Sequence, residues 1–291
     1  MKASRFAYHA PSTLAEALAL LAEHGDSAKV LAGGQSLIPM LAMRLAVFDH
    51  LVDLGRIPEL AGIDHQGDTV RIGAATTHTA VESSADLART VPLLARAAPL
   101  IGHFQIRNRG TVGGAIAHAD PAAEFPAVAL ALDAQLETVS PRGARTIPAE
   151  KFFLGTWSTA LADDEILTAV NFPAWRGRTG HAVEELARRH GDFAIAGAVV
   201  AVELDGDDRV RRCGIGLLGL GSTPERATAA EQAVTGTAAG EIDPVEVGRA
   251  AMSTLQSVPA DLHGSADYRR RVGAAMVTRA WQRALREAHD G

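Results

Sequence analysis

The sequence predicts an α+β protein, with mixed strands and helices over about the first 175 residues and then a strand meander followed by helices. Three observations carry this. Short apolar runs of strand length alternate with helix-period segments as far as Phe172. Pro173-Ala-Trp-Arg-Gly-Arg-Thr-Gly180 then breaks the pattern with turn-forming residues. Beyond it lie three long strand candidates, residues 181–188, 195–204 and 210–220. Three helical tracts end the chain, at 224–235, 244–253 and 266–288. A domain boundary is therefore expected near residue 176.

Element by element, Phe6-Ala7-Tyr8 reads as a short strand. Thr13 and Glu16 have capping-box spacing ahead of Leu14, Leu18 and Leu21, and Gly25 stops that helix. Val30-Leu31 is a brief strand that feeds Ala32-Gly33-Gly34-Gln35-Ser36, and Leu37 opens another short helix. Residues 50–53 and 69–72 read as strands, with Leu54-Gly-Arg-Ile-Pro58 connecting two lobes. Thr77 caps a helix to Ser84, and residues 91–100 form a second. Residues 106–115 are polar and glycine-rich. Residues 124–132 are an apolar helix, and residues 135–139 and 166–172 are strands.

Composition narrows the function. The 291 residues carry 28 Lys+Arg against 34 Asp+Glu, a net charge of −6, which argues against a whole-chain nucleic-acid binder. Cys213 is the only cysteine, so the chain forms no internal disulfide and cannot ligate an iron–sulfur cluster or zinc ribbon by itself. Redox chemistry would need an organic cofactor or a metal-bearing partner. No stretch has signal-peptide or membrane-span length, so the expectation is a cytoplasmic protein with no membrane span.

The two glycine pairs are the centre of the functional reading. A diphosphate needs several backbone N–H donors aimed at one spot, and glycine lets the backbone come close. Gly33-Gly34-Gln35-Ser36 offers this ahead of a helix. Gly113-Gly114, beside the Thr111 hydroxyl, offers a second set. Two such loops about 80 residues apart could clasp one dinucleotide, although each pair taken alone also reads as a tight turn. Neither loop is followed by the Gly-Lys-Ser/Thr of nucleotide hydrolases.

Other patterns compete. Gly214-Ile-Gly216-Leu-Leu-Gly219 fits a dinucleotide fingerprint, but Gly221-Ser-Thr-Pro224 breaks the chain where its helix should run, so it reads as a buried strand. His118, Asp120 and Glu124 lack a second His or a Cys at ligand spacing, so no metal site is expected there; Asp120 or Glu124 suits ribityl or ribose hydroxyls better. Cys213 reads as an inert core thiol. Tyr268-Arg269-Arg270-Arg271 reads as a solvated basic face, or alternatively as a docking surface for an acidic partner.

Taken together, Leu31-Ala-Gly-Gly-Gln-Ser-Leu-Ile-Pro39 and Ile106-Arg-Asn-Arg-Gly-Thr-Val-Gly-Gly-Ala-Ile-Ala-His-Ala-Asp-Pro121 resemble the FAD-binding medium subunit of molybdenum hydroxylases of the carbon monoxide dehydrogenase type. Xanthine dehydrogenases carry the same module within one chain. Residues 185–194 and 219–224 resemble segments of the family's C-terminal domain. The resemblance implies a two-lobed FAD-binding domain of the vanillyl-alcohol-oxidase (PCMH) type over residues 1–176, with lobes of about 1–55 and 56–176. A domain of three antiparallel strands and a helical bundle follows over 177–291.

Non-covalent FAD is implied, its pyrophosphate between Ala32, Gly33, Gly34, Gln35, Ser36 and Leu37 and the segment Thr111, Gly113, Gly114 and Ala115. Ile101 would sit near the cofactor, Asp120 and Glu124 would hold hydroxyls, and Leu167 would approach the flavin ring. Partners would be a molybdopterin-binding large subunit and a small subunit with two [2Fe–2S] clusters in a hetero-oligomer. Electrons would pass from those clusters through FAD to an external acceptor. No residue of this chain is assigned a catalytic role, since the redox centre would be the flavin.

Two departures stand out. Some relatives carry Asn at the position of Ala115, and some place a Lys near the flavin where this chain has Glu184-Glu185. A lost positive charge there would stabilise anionic reduced flavin less. A free-standing FAD-dependent oxidase or dehydrogenase with its own small-molecule substrate is the alternative reading. A non-enzymatic dinucleotide-binding module is a third.

Overall fold

The computed structural model describes residues 2–291. In chain order its elements are β1 (Ala7–His9), α1 (Leu14–His24), β2 (Ala28–Leu31), α2 (Leu37–Met43), β3 (His50–Asp53), β4 (Ile63–Gln66), β5 (Thr69–Gly73), α3 (His78–Ser83), α4 (Leu87–Thr90), α5 (Pro92–Ala97), α6 (Phe104–Arg107), α7 (Val112–His118) and α8 (Glu124–Ala131). There follow β6 (Gln135–Ser140), β7 (Gly143–Pro148), β8 (Phe153–Gly155), β9 (Ser158–Thr159), β10 (Ile166–Pro173), β11 (Arg178–Leu186), β12 (Ala196–Leu204), β13 (Val210–Leu218), β14 (Glu225–Arg226), α9 (Thr228–Val234), α10 (Pro244–Ser253) and α11 (Ala266–Asp290).

The first lobe is a three-stranded parallel sheet in the order β1-β3-β2, packed by α1 through Ala17 and Leu21 against Val52 and Leu54. Thr13 caps α1, its Oγ1 accepting from the Glu16 amide at 3.2 Å. The expected reciprocal arm shifts by one residue. Glu16 reaches back to the Ser12 amide at 2.8 Å instead of Thr13. Gly25 ends the helix with φ 55°, a conformation glycine adopts at little cost.

The second lobe is an antiparallel sheet in the order β4-β5-β10-β6-β7. Strand β10 lies at its centre and is almost wholly buried. Its pairing with β6 slips between Leu167 and Ala169, a bulge beside the cavity described below. Helix α8 is buried along its whole length, which fits its all-round apolar sequence.

Helix α8 also joins the second lobe to the C-terminal sheet. A Cβ on Gly214 would fall 1.9 Å from the Ala131 carbonyl, and one on Gly216 would fall 2.2 Å from that of Ala127. The fingerprint-like Gly214-Ile-Gly216-Leu-Leu-Gly219 therefore sits in and just beyond β13 and lets a helix lie directly on a strand. The sheet runs antiparallel β11-β12-β13-β14, with α11 along it and Trp281 fully buried between. The fourth strand, two residues long, extends the expected three-stranded meander.

The basic cluster at the start of α11 is not a free docking surface. Arg269 is 5% exposed and donates to the carbonyls of Ile195 and Gly219 and to Asp261. Arg270 donates to the Leu255 carbonyl. Only Arg271 and Tyr268 face solvent. Backbone carbonyls presented by the loops around residues 195, 219 and 255 captured the guanidinium groups, which charge patterning alone does not reveal.

Candidate functional site

A cavity of about 640 Å³ opens between the two lobes, within the size range of cofactor sites. Ala32, Gly33, Gly34, Gln35, Ser36 and Leu37 line it from the first lobe. Ile101, Thr111, Gly113, Gly114, Ala115, Asp120, Glu124 and Leu167 line it from the second. The turn Gly191-Asp192-Phe193 of the C-terminal region closes one side.

The first loop is built to present amides. Strand β2 delivers the chain to the cavity edge at Leu31, and α2 begins at Leu37. Between them the N–H groups of Gly33, Gly34, Gln35 and Ser36 donate to no protein acceptor among the described residues. Gly34 holds φ 74°, which a side chain would strain. A Cβ on Gly33 would lie 2.1 Å from the Arg109 carbonyl oxygen, so this loop rests directly on the backbone of the second lobe. A run of unpaired backbone amides in a concave wall is an anion cradle.

The second loop works differently. The glycine-rich run is the first turn of α7, capped by Thr111, whose Oγ1 accepts from the Gly114 amide at 3.0 Å. Val112 and Gly113 donate to the Thr76 and Ala74 carbonyls at 2.9 and 2.8 Å, and Ala115 donates to the Thr111 carbonyl at 3.0 Å. The expected second set of free amides is thus already spent within the protein. Close packing explains the glycines: a Cβ on Gly113 would meet Ala74 at 2.4 Å, and one on Gly114 would meet Thr111 Oγ1 at 2.8 Å. The segment offers a smooth wall and the Thr111 hydroxyl proton, not a second cradle.

Buried polar residues hold that wall. His78 lies under it, with Nε2 2.9 Å from the Thr111 carbonyl. Burial pushes His78 down to about 4, so the ring is neutral and donates this bond. The His78 amide donates to the Gly110 carbonyl at 2.9 Å. Arg107 pairs with Glu82 at 2.7 Å and donates to the carbonyls of Pro99, Ile101 and Gly102, which fixes the turn that carries Ile101.

The acidic residues divide by environment. Asp120 accepts from the Ala122 amide at 2.9 Å and from Trp157 Nε1 at 3.3 Å. His118 Nε2 stays 4.0 Å from it. Glu124 is buried at the first position of α8; burial, then the nearby Glu185 carboxyl, pushes it up to about 8. Burial raises Glu185 to about 7, and its Oε2 has no partner. Glu184, on the opposite face of β11, pairs with Arg283 of α11. Of the two acids in the departure Glu184-Glu185, only Glu185 acts on the cavity-lining Glu124.

Sequence reasoning missed Lys29, Phe48, Trp157 and Phe193, all of which line the cavity. Lys29 is the one lysine among the lining residues. Its ammonium lies 5.7 Å from the Phe48 ring. Lys29 is an exposed residue of β2 just before Val30-Leu31, and nothing in the sequence separates it from an ordinary surface lysine. Trp157 adopts φ 57° in a two-residue turn, and no sequence signal marks it.

A model of the FAD binding domain in molybdopterin dehydrogenase matches residues 4–175, and one of the CO dehydrogenase flavoprotein C-terminal domain matches residues 181–284. The chain belongs to the family of molybdenum hydroxylase FAD subunits. Within this family it is 42% identical to the carbon monoxide dehydrogenase medium chain of Hydrogenophaga pseudoflava, over 95% of this chain and 96% of that one. It is 41% identical to the 6-hydroxypseudooxynicotine dehydrogenase complex subunit alpha of Paenarthrobacter nicotinovorans, over 99% and 97%. A chain of a solved structure of carbon monoxide dehydrogenase from Hydrogenophaga pseudoflava superposes with TM-score 0.95 at 43% identity, covering 99% of both chains. Quinoline 2-oxidoreductase from Pseudomonas putida 86 superposes at 0.91 with 33% identity.

FAD, the cofactor of this family, fits the residues present. Four unpaired amides and the Thr111 hydroxyl, on residues of the cavity lining, suit its diphosphate. The side-chain-free wall at Gly113-Gly114 leaves room beside them. Ile101 and Leu167 supply apolar surface, and Glu124, protonated near neutrality, can both donate to and accept from a hydroxyl.

Gly33→Ala should force the loop off Arg109. Flavin content at purification is expected to fall at least tenfold, and stability by roughly 1–3 kcal/mol. Gly206→Ala, whose Cβ meets nothing within 4 Å, should change neither. Full flavin retention in Gly33→Ala would contradict the packing.

A pH dependence follows from the buried acids. The unfolded chain releases the Glu124 and Glu185 protons near 4.5, whereas the folded chain keeps them to about 8 and 7. Stability therefore falls as pH rises through this interval. His78 and His181, both pushed down to about 4 from 6.5, act oppositely but only below 6.5. The melting temperature of the flavin-stripped chain should drop between pH 6.5 and 8, and Glu124→Gln should flatten the slope. An unchanged slope would refute the assignment.

Proposed function

We propose that this chain is the FAD-carrying electron-transfer subunit of a molybdopterin-dependent hydroxylase or dehydrogenase complex. It would take electrons from [2Fe–2S] clusters of a partner and deliver them to an external acceptor. The observation that carries the reading is the run of unpaired amides at Gly33, Gly34, Gln35 and Ser36 facing a cavity of cofactor size. When bound, FAD supplies two-electron redox chemistry and a junction between one- and two-electron partners.

The residues of the chain bind, orient and shield. The Gly33–Ser36 amides and the Thr111 hydroxyl hold the diphosphate, with Lys29 adding positive charge at the rim. Ala32, Leu37, Gly113, Gly114 and Ala115 line its path. Asp120 and Glu124 take hydroxyl groups, and Ile101 and Leu167 flank the ring. Glu184-Glu185 brings no positive charge to the place where some relatives carry a lysine, so anionic reduced flavin would be stabilised less and the potential would lie lower than with a lysine there.

The only cysteine supports a division of labour. Cys213 is buried in β13, and burial pushes its thiol up to about 12, so it neither ligates iron nor attacks a substrate. Electrons from an iron–sulfur cluster would have to arrive from another chain. Relatives are named as medium chains or as subunits of complexes. A molybdopterin-binding large subunit and a [2Fe–2S] small subunit are therefore the proposed partners in a hetero-oligomer. The proposed division is an FAD-binding domain over 1–176 and a C-terminal domain over 177–291. No helix among the described residues is long and apolar enough to cross a membrane. The cytoplasm is the proposed location, where a lone buried thiol stays reduced.

The chain, tagged and purified from its own cells, is expected to bring flavin, molybdenum and iron together. Freed of partners, it should keep or rebind FAD but oxidise no small molecule. Steady-state substrate oxidation by the lone chain would instead establish a free-standing flavin dehydrogenase.

A further inference from the structure

Away from the flavin cavity, three histidines from three elements meet at one place in the first lobe. His9 ends β1, His24 lies in the last turn of α1, and His50 opens β3. One ring nitrogen of each lies within 4.8 Å of the other two, and all three residues are half-buried. His9 Nε2 and His50 Nδ1 are 3.0 Å apart. The rings of His24 and His50 stack at 3.7 Å, 7° from parallel. No carboxylate among the described residues lies within ion-pair distance of any of them. Ion pairing therefore does not account for the cluster.

The geometry points to a binding site for a divalent transition ion of the zinc class, held by His9, His24 and His50 with a fourth position open to water. Neutral imidazole nitrogen suits borderline ions such as Zn²⁺, Co²⁺ and Ni²⁺ far better than Mg²⁺ or Ca²⁺. A tetrahedral zinc, with nitrogen ligands at about 2.0–2.1 Å, sets those nitrogens about 3.3 Å apart. The His9–His50 pair is already within a few tenths of an ångström of this. Parallel rings do not aim two lone pairs at one point, so His24 must turn about its Cβ–Cγ bond to complete the set. Half-burial leaves a route for entry. Nothing in the spacing along the chain marks these residues, because β-pairing and a helix end bring them together. The ion would tie the three-residue strand β1 to α1 and β3.

The test uses the full chain, treated with chelator, dialysed and titrated calorimetrically with Zn²⁺, with Co²⁺ as a spectroscopic probe. Saturable binding of one ion per chain is expected, with visible cobalt bands of tetrahedral intensity and a raised melting temperature. His9→Ala and His50→Ala should each weaken binding at least tenfold, while His263→Ala, at an exposed site, should not. His9→Gln and His50→Gln keep the side-chain bulk, and unchanged flavin content and far-ultraviolet dichroism report that they fold. Absent saturable binding, or equal affinity in the folded Gln variants and the parent, would overturn the site.

Discussion

Gly33 rests on the carbonyl of Arg109 with no room for a Cβ, and the cavity depends on that backbone-to-backbone contact. It brings a loop of the parallel lobe against a loop of the antiparallel lobe, although the two lie far apart in the chain. With Gly33 seated there, the amides that follow find no partner within their own lobe and face the cavity. The contact is supported from below. His78 holds the Gly110 and Thr111 backbone, and Arg107 gathers the carbonyls of the turn before α6. The neutral state of His78 belongs to this support, because a charged ring could not be buried at that point without a counter-charge.

The walls of the cavity differ in kind. One supplies unpaired donors and a lysine, suited to negative charge. The other supplies apolar surface and a carboxyl that burial keeps protonated. A long ligand with an anionic middle and an uncharged ring matches this asymmetry, and FAD is such a ligand. Helix α8 connects the site to the rest of the molecule. Its first residue is Glu124, and its body lies on β13 where Gly214 and Gly216 let the helix touch the strand. The C-terminal domain thus backs the cavity as well as closing its rim.

Much of this was legible in the sequence. The loop after β2, the three long strands and most of the helical tail follow from turn residues and apolar periodicity. All fourteen expected lining residues meet in one cavity. What stayed hidden depended on tertiary partners. Gly113-Gly114 reads as a loop, yet it is the first turn of a helix, where the Ala74 carbonyl takes the Gly113 amide and the capping Thr111 hydroxyl takes that of Gly114. Arg269 reads as surface charge, yet distant carbonyls bury it. Strands β4 and β7 are mostly exposed and polar, so neither shows an apolar pattern. Lys29 and Trp157 enter the cavity from positions that no local rule distinguishes from surface.

The most direct test is amide chemical-shift mapping of the isotope-labelled, flavin-stripped chain during titration with FAD. The Gly33, Gly34, Gln35 and Ser36 amides should shift most, downfield as they gain phosphate acceptors. Val112, Gly113 and Ala115, already bonded to carbonyls, should shift less. The largest shifts at residues 112–115, with residues 33–36 unmoved, would contradict it.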